Sequence, residues 1–268
     1  MAKYRDHKEE RMERIDHKNI SIFIDKNNMI DDLFLKYGNR NTAIKIATSI
    51  IMLGRRKEDI DDTISVIIEL FKKCGLTQND AINYLNSNYS LIDTDKSELV
   101  DRINSLIEVF NMNGLSSQEL MSFITNCRVN RTVLLYKDIT KIKNFVIKKF
   151  LSDGFSEEEA YQYLSDNREL FLNSYNHILE SLSLYLSASL DNKVFYEYPD
   201  LLSNYYSNAQ LYNAIMTLKN KKEDLSLDNI KNIMSNNKNA TFSLKDIYKK
   251  YLISRYEKTL DKNYERVL

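Results

Sequence analysis

The sequence concentrates its chemically useful side chains in one short basic segment. In "CRVNRTVLLYKDITKIKNFVIKKFL", residues 127–151, seven Lys and Arg residues accompany a single acid, Asp138. Closely spaced cations attract phosphate groups, so such a segment can follow the backbone of a nucleic acid. A smaller basic pair follows Gly54, at a predicted turn between helices. The predicted nucleic-acid-binding set is Arg55, Arg56, Arg128, Arg131, Lys137, Lys141, Asn144 and Lys148.

The residues of this segment recur at the spacing of an amphipathic helix. At about 100° per residue, one face holds Lys137, Lys141, Asn144 and Lys148, and the opposite face holds Ile139, Ile142, Val146 and Phe150. A row of lysines on such a helix is suited to phosphate contact. An amphipathic helix must expose polar residues in any case, so a solvated face without a ligand stays open as the alternative.

No arrangement of residues predicts catalysis. The sequence contains no P-loop, no GxGxxG and no HExxH motif, and its histidines are His7, His17 and His177. "DHK" occurs twice, ten residues apart, which puts the two rings on unlike faces of a helix. The acid clusters at 58–62 and 157–159 fall in predicted first turns, where carboxylates favour the helix dipole. We therefore expect no enzymatic activity, no cofactor, no metal site and no small-molecule substrate.

The charge distribution also supports a second class of function. The chain carries 38 basic and 38 acidic residues, for a net charge of zero. The basic residues dominate in 111–153, whereas 154–215 is strongly acidic. An acidic helical surface suits a protein partner, so the alternative is a protein-binding adaptor or inhibitor of the kind that phages or plasmids encode.

The cysteines and the apolar runs indicate where the protein works. Cys74 and Cys127 lie far apart and form no CxxC pair, which favours a reducing compartment. Residues 1–20 are charged throughout and lack the apolar core of a signal peptide. The most apolar run, "TAIKIATSIIMLG", is too short for a membrane span and contains Lys45. We expect a cytoplasmic protein without a membrane partner.

Evenly spaced glycines predict the elements that position the basic segment. Gly38, Gly75, Gly114 and Gly154 are 37, 39 and 40 residues apart, a period typical of tandem repeats. Each is preceded, four residues earlier, by one phenylalanine of the series Phe34, Phe71, Phe110 and Phe150. After the last three glycines come an apolar residue, a Ser or Thr, and an acid three residues later, as in a capping box. The pattern predicts a long helix ending at each glycine and a short helix after it.

Two further copies complete the predicted fold. Asp224 takes the glycine place in the last copy, with Ser226 as the helix cap, and a degenerate copy surrounds "SLDNKVFYEYPDLL". One proline and five glycines in 268 residues also favour long helices. We predict an all-α superhelical solenoid of about five helix-pair repeats in residues 21–237. A charged helix in 1–20 precedes it, and a capping helix in 238–268 follows it.

The capping segment mixes aromatic and basic residues. "SLKDIYKKYLISRYEKTLDKNYERVL" combines charge and rings in a way that can bind single strands by stacking. The alternative, which we prefer, is a terminal helix that packs Tyr248, Leu252 and Tyr256 on the last repeat, because these residues are four apart.

The repeats resemble those of the mitochondrial transcription termination factors. The resemblance rests on "GFSEEEAYQYLSDNRELFLNSYNHILESLSLYL" and on "GLTQNDAINYLNSNYSLIDTDKSELVDRINSLIEVF", and it extends over roughly residues 30–235. In that family a Gly-Leu/Phe-Ser/Thr start opens a short helix, and a Tyr-Pro…Leu-Leu bridge leads to a long one. Here "YPDLL", residues 198–202, is the bridge that keeps the proline. The resemblance implies a superhelical array of helix pairs whose concave, basic face holds nucleic acid.

Overall fold

The computed structural model describes residues 26–125, 132–187, 193–202, 208–236 and 246–265. Within these ranges the secondary structure is helical, without a strand, and the all-α prediction is confirmed. The α-helices are α1 (26–37), α2 (Arg40–Leu53), α3 (Lys57–Lys73), α4 (Gln78–Ser87), α5 (Lys96–Met112), α6 (Ser117–Thr125), α7 (Ile139–Ser152), α8 (Glu157–Asp166), α9 (Tyr175–Ser187), α10 (Lys193–Glu197), α11 (Asn208–Lys221), α12 (Leu227–Asn236) and α13 (Asp246–Glu265). The predicted helix in residues 1–20 lies outside the described residues.

The glycine after a long helix closes that helix in a Schellman motif. At the end of α7, the Phe155 N–H donates to the Phe150 carbonyl at 3.0 Å and the Gly154 N–H donates to the Leu151 carbonyl at 3.1 Å. Gly154 has φ +89°, a left-handed conformation that a side chain disfavours. The same bonds end α3 and α5, from Leu76 to Phe71 at 2.9 Å and from Leu115 to Phe110 at 3.0 Å. These motifs explain why a phenylalanine precedes the glycine by four residues and an apolar residue follows it.

A second recurring contact joins each of these long helices to the short helix that follows. The phenylalanine that lies four residues before the glycine packs on the aromatic ring that lies nine residues after the glycine. The ring centroids are 5.1 Å apart for Phe71 and Tyr84, 5.9 Å for Phe110 and Phe123, and 5.1 Å for Phe150 and Tyr163. Aromatic pairs in this range add to the stability that burial gives. The residues that recur in the sequence therefore make the same packing contact in each of these three repeats.

The short helices begin at the predicted capping boxes. In α8 the Ser156 side chain accepts from the Glu159 N–H at 3.2 Å, and the Glu159 carboxylate accepts from the Ser156 N–H at 2.8 Å. α4 begins with the same reciprocal pair, Thr77 and Asp80. α6 begins with Ser116 and Glu119. The capping prediction is confirmed at all three glycines.

In the described part of the chain, each bridge between a short helix and the next long helix contains one 3₁₀ turn. These turns span Tyr89–Asp93, Val133–Leu135, Arg168–Leu172 and Pro199–Leu202. Each buries two consecutive apolar side chains, such as Leu91 with Ile92 or Leu201 with Leu202. The bridge that contains Pro199 takes the same form as the bridges that lack a proline. An apolar pair held inward by a 3₁₀ turn is thus what the bridges share.

The first and last copies depart from the pattern for identifiable reasons. Asn39 caps α2 by accepting from the Thr42 N–H at 3.0 Å, so no apolar residue follows Gly38 and the Phe34 ring is exposed. In the last copy the left-handed residue is Lys222, with φ 55°, and the Glu223 N–H donates to the Leu218 carbonyl. The prediction of Asp224 in the glycine place was therefore wrong by two residues. Ser226 does cap α12, through its Oγ and the Asn229 N–H at 3.3 Å.

The described residues form two compact units, one within Met1–Val100 and Thr125–Leu135, the other within Asp101–Ile124 and Tyr136–Leu268. In the first unit α3 packs on α4; in the second α7 packs on α8 and α11 on α12. α13 packs chiefly against α7 and α9, rather than on the last repeat as predicted. Tyr256 and Leu260 of α13 are buried there, while the Tyr248 and Leu252 side chains lie outside the described ones.

Candidate nucleic-acid interface

The basic segment folds into α7 and the turn before it. The predicted apolar face is confirmed, because Ile139, Ile142, Val146 and Phe150 are buried. α7 begins at Ile139, so Lys137 lies in the preceding turn rather than on the helix. Lys137, Lys141 and Asn144 are exposed. We call Lys137, Lys141, Asn144 and Lys148 the lysine edge; Arg128 and Arg131 lie outside the described residues.

Lys141 makes a loose ion pair with Asp138, the residue just before α7. Its Nζ lies 3.5 Å from Oδ1 of Asp138, one turn earlier, and 68% of its side chain is exposed. The other oxygen of Asp138 accepts a 2.9 Å hydrogen bond from the Tyr175 N–H at the start of α9. Asp138 therefore serves the packing of α9 on α7, and Lys141 stays largely in water. An exposed pair of this kind contributes little to stability.

Lys148 is covered by the C-terminal helix. Its Nζ donates to a carboxylate oxygen of Asp261 and lies 5.3 Å from the centroid of the Tyr264 ring. The side chain keeps 33% of its surface exposed, and Asp261 keeps more. The charge of Lys148 is thus balanced by α13 while the residue stays in reach of solvent.

Lys143 belongs to a network on the side of α7 that meets α5 and α8. Its Nζ pairs with Oε2 of Glu108, and Oε1 of Glu108 accepts a hydrogen bond from the Tyr161 hydroxyl. The hydrogen bond from Lys143, and next that from Tyr161, hold the pKa of Glu108 below its usual range. Only 12% of the Lys143 side chain is exposed, so it holds helices together and does not extend the lysine edge.

Lys149 is buried, which the sequence reading of the segment as a solvated basic stretch missed. It is 2% exposed, pairs with Asp153, and lies 5.3 Å from the Tyr196 ring centroid and 5.8 Å from that of Phe195. Burial lowers the pKa of the Lys149 ammonium, and Asp153 opposes that shift. The signal was present in the sequence, since Lys149 lies four residues after Phe145 on the apolar face and four before Asp153.

Arg55 and Arg56 lie in the first compact unit. Arg55 donates from Nη1 to the Asp93 carbonyl at 3.1 Å. Arg56 makes two hydrogen bonds to Asp59 in the first turn of α3, at 3.0 and 2.6 Å. These bonds raise the pKa of Arg56 and lower that of Asp59. Both arginines are therefore engaged at the turn between α2 and α3.

The geometry brings three of the predicted residues together on α7: Lys141, Asn144 and Lys148. It leaves Lys137 beside them, without an ion pair among the described residues. Across the described ranges, no group of three His, Cys, Asp or Glu side chains is placed to hold a metal ion. In the same ranges, no helix combines the length and apolar character that crossing a bilayer requires.

Comparisons were made with models of known families, with curated proteins and with solved structures. None of the three gives a match.

Proposed function

We propose that the chain is a non-catalytic helical-repeat protein that binds nucleic acid along the lysine edge. The observation that carries the proposal is the exposure of Lys137, Lys141 and Asn144 in succession, with Lys148 one turn further on α7. Two or three cations and an amide at helical spacing can contact consecutive phosphates of one strand. The separated cysteines, as argued from the sequence, favour the cytoplasm as the compartment.

The ion pairs of the lysine edge are compatible with this role. Surface pairs contribute about 0–1 kcal/mol, because water already solvates both charges. A phosphate oxygen can replace the carboxylate of Asp138 or Asp261 at small cost. The release of counterions from the nucleic acid then favours the complex.

We also propose that the helix pairs stack as a solenoid of about five repeats. The support is that α3/α4, α7/α8 and α11/α12 each consist of a long helix, a left-handed residue and a capped short helix. Units of this kind cannot bury their apolar faces alone. The resemblance to the mitochondrial transcription termination factors stays a prediction that agrees with this arrangement.

A salt series tests the proposed binding. Labelled duplex DNA, single-stranded DNA and RNA are titrated with the full chain, and log K is plotted against log salt. Removing one phosphate-contacting lysine should reduce the slope by about one, so K137Q/K141Q should reduce it by about two. K72Q/K73Q on α3 removes the same charge from two exposed lysines and should leave the slope unchanged. Absence of binding at low salt, or equal losses in both variants, would overturn the proposal.

A protein partner is the second candidate, and a specific observation favours it. α1 and α2 expose four large apolar side chains: Leu35 at 82%, Met52 at 72%, Ile44 and Phe34. Half of the large apolar side chains that the described residues expose thus lie on these two helices, and exposed apolar patches mark sites of protein contact. Co-purification from the native host should then return a stoichiometric protein that L35Q/M52Q loses and K137Q/K141Q retains. If both variants retain that protein, the exposed apolar side chains of α1 and α2 are not its binding site.

A further inference from the structure

The C-terminal helix occupies the last position of the lysine edge. α13 packs against α7 and α9, with Tyr256 and Leu260 buried and the Tyr256 ring 6.2 Å from that of Phe145. Beyond these anchors, Asp261 pairs with Lys148 and Tyr264 lies over the same ammonium. A carboxylate and a phosphate offer a lysine the same kind of oxygen acceptor. Asp261 therefore takes the place that a phosphate would take at Lys148.

The polar groups that α13 places next to the lysine edge are not all hydrogen-bonded. The Tyr256 hydroxyl is buried and has no hydrogen-bond partner in the described part of the chain. A buried hydroxyl without a partner opposes docking. The Asp261 side chain is more than half exposed, so water screens its attraction to Lys148. The apolar anchors hold α13, while its polar contacts with Lys148 are open to exchange.

The charge of α13 as a whole does not explain the contact. Lys258 and Lys262 are exposed on the same helix and carry the opposite charge to Asp261. Competition with nucleic acid is therefore expected from Asp261, which pairs with Lys148, and not from α13 as a whole. A change of charge at another position of α13 serves as the control.

We propose that α13 is a strap whose Asp261 competes with nucleic acid for Lys148. The inference rests on the proposed function of the lysine edge and adds a regulatory contact to it. Because coupling between two binding events is reciprocal, the strap weakens nucleic-acid binding by the same factor by which nucleic acid weakens its docking. Nucleic acid binding then loosens the C-terminal part of α13.

A matched pair of full-chain variants tests the strap. D261N removes the competing charge, whereas E265Q removes one negative charge from an exposed residue of the same helix. We expect D261N to bind labelled nucleic acid about two- to fivefold more tightly than wild type at low salt, the range of one exposed ion pair. E265Q should match wild type. In the K148Q background, D261N should give no gain.

Hydrogen exchange supplies a second measurement on the same proteins. Amides of residues 261–265, beyond the apolar anchors, should exchange faster when nucleic acid is bound, since the strap is displaced from Lys148. Unchanged or slower exchange there, or equal affinities of D261N and E265Q when wild type binds, would overturn the strap alone. If neither wild type nor D261N binds nucleic acid at low salt, that result contradicts the proposed function, and the strap proposal, which rests on it, falls with it.

Discussion

Removing the Asp153 carboxylate should destabilise the unit that contains α7 and α8, because it leaves a buried ammonium without its counter-charge. The Lys149 side chain is 3% exposed and that of Asp153 is 16% exposed. The same carboxylate accepts a 2.7 Å hydrogen bond from the Tyr196 hydroxyl. Asp153→Ala therefore removes an ion pair and a hydrogen bond together.

The size of the effect follows from the two states that Lys149 can adopt. An ordinary lysine pKa of about 10.4 lies about 3.4 units above pH 7, so burying the neutral amine costs about 4.6 kcal/mol at about 1.36 kcal/mol per unit. Removing one partner of a buried pair costs about 3–5 kcal/mol. We expect Asp153→Ala to lower the free energy of unfolding by about 3–5 kcal/mol at pH 7.

The pH dependence of the variant identifies the cause. Burial lowers the pKa of Lys149 and Asp153 raises it, so the variant leaves only the lowering effect. The folded variant then binds the Lys149 proton more weakly than the unfolded chain does. Stability rises with pH where the unfolded state holds more protons. Between pH 7 and about 10 the variant should gain up to about 1.36 kcal/mol per pH unit, a steeper slope than wild type.

Urea denaturation followed by circular dichroism over this pH range measures both quantities. The control is the double variant Lys149→Met/Asp153→Ala, which replaces the pair by apolar groups and should recover most of the loss. A loss below about 1 kcal/mol for Asp153→Ala, as expected of a surface pair, would refute the reasoning. Equal pH slopes in variant and wild type would also refute it.

Four substitutions give further predictions, each measured by urea denaturation. Lys222→Gly should stabilise the chain by about 1 kcal/mol, because a left-handed conformation costs a side chain about 1–2 kcal/mol; no change would mean that Lys222 is unstrained. Gly154→Ala should cost about 1–2 kcal/mol by the same argument, since an added Cβ would meet nothing within 4 Å; a larger loss would point to a steric cause. Ser156→Ala should cost about 1 kcal/mol through the lost cap, whereas the control Ser117→Ala, at an exposed serine in the first turn of α6, should change stability little. Phe110→Ala should cost about 3–5 kcal/mol, and a loss as small as a surface substitution would reject its packing role.

The repeat was predictable from the sequence because its interactions are local. The Schellman motif, the capping box and the aromatic pair of Phe150 and Tyr163 all lie within fourteen residues. The local pattern gave a wrong alignment where a residue other than glycine adopts the left-handed conformation. Glycine signals a left-handed residue, and Lys222 does not, so the last copy was aligned on Asp224 instead.

The basic segment was harder to interpret because the sequence does not show which acidic residue each lysine contacts in the fold. Lys141 with Asp138 and Lys149 with Asp153 are three and four residues apart, so those pairs could be anticipated from helical spacing. Lys148 and Asp261 are 113 residues apart, and no local pattern joins them. Only the packing of α13 on α7 brings that carboxylate to the lysine edge.

The affinity for nucleic acid depends on the lysines that are exposed to solvent, which are fewer than the lysines counted in the sequence. Seven phosphate contacts from residues 127–151 would give a salt slope of about −6 on duplex DNA. Lys143 and Lys149 are held inside the fold, so three described cations remain at the lysine edge, for a slope of about −2.7. One of those three, Lys148, is paired with Asp261, so a phosphate at that position competes with a carboxylate. The number of ions released on binding therefore tells how many cations meet phosphate, and a slope well beyond −3 would require contacts outside the lysine edge.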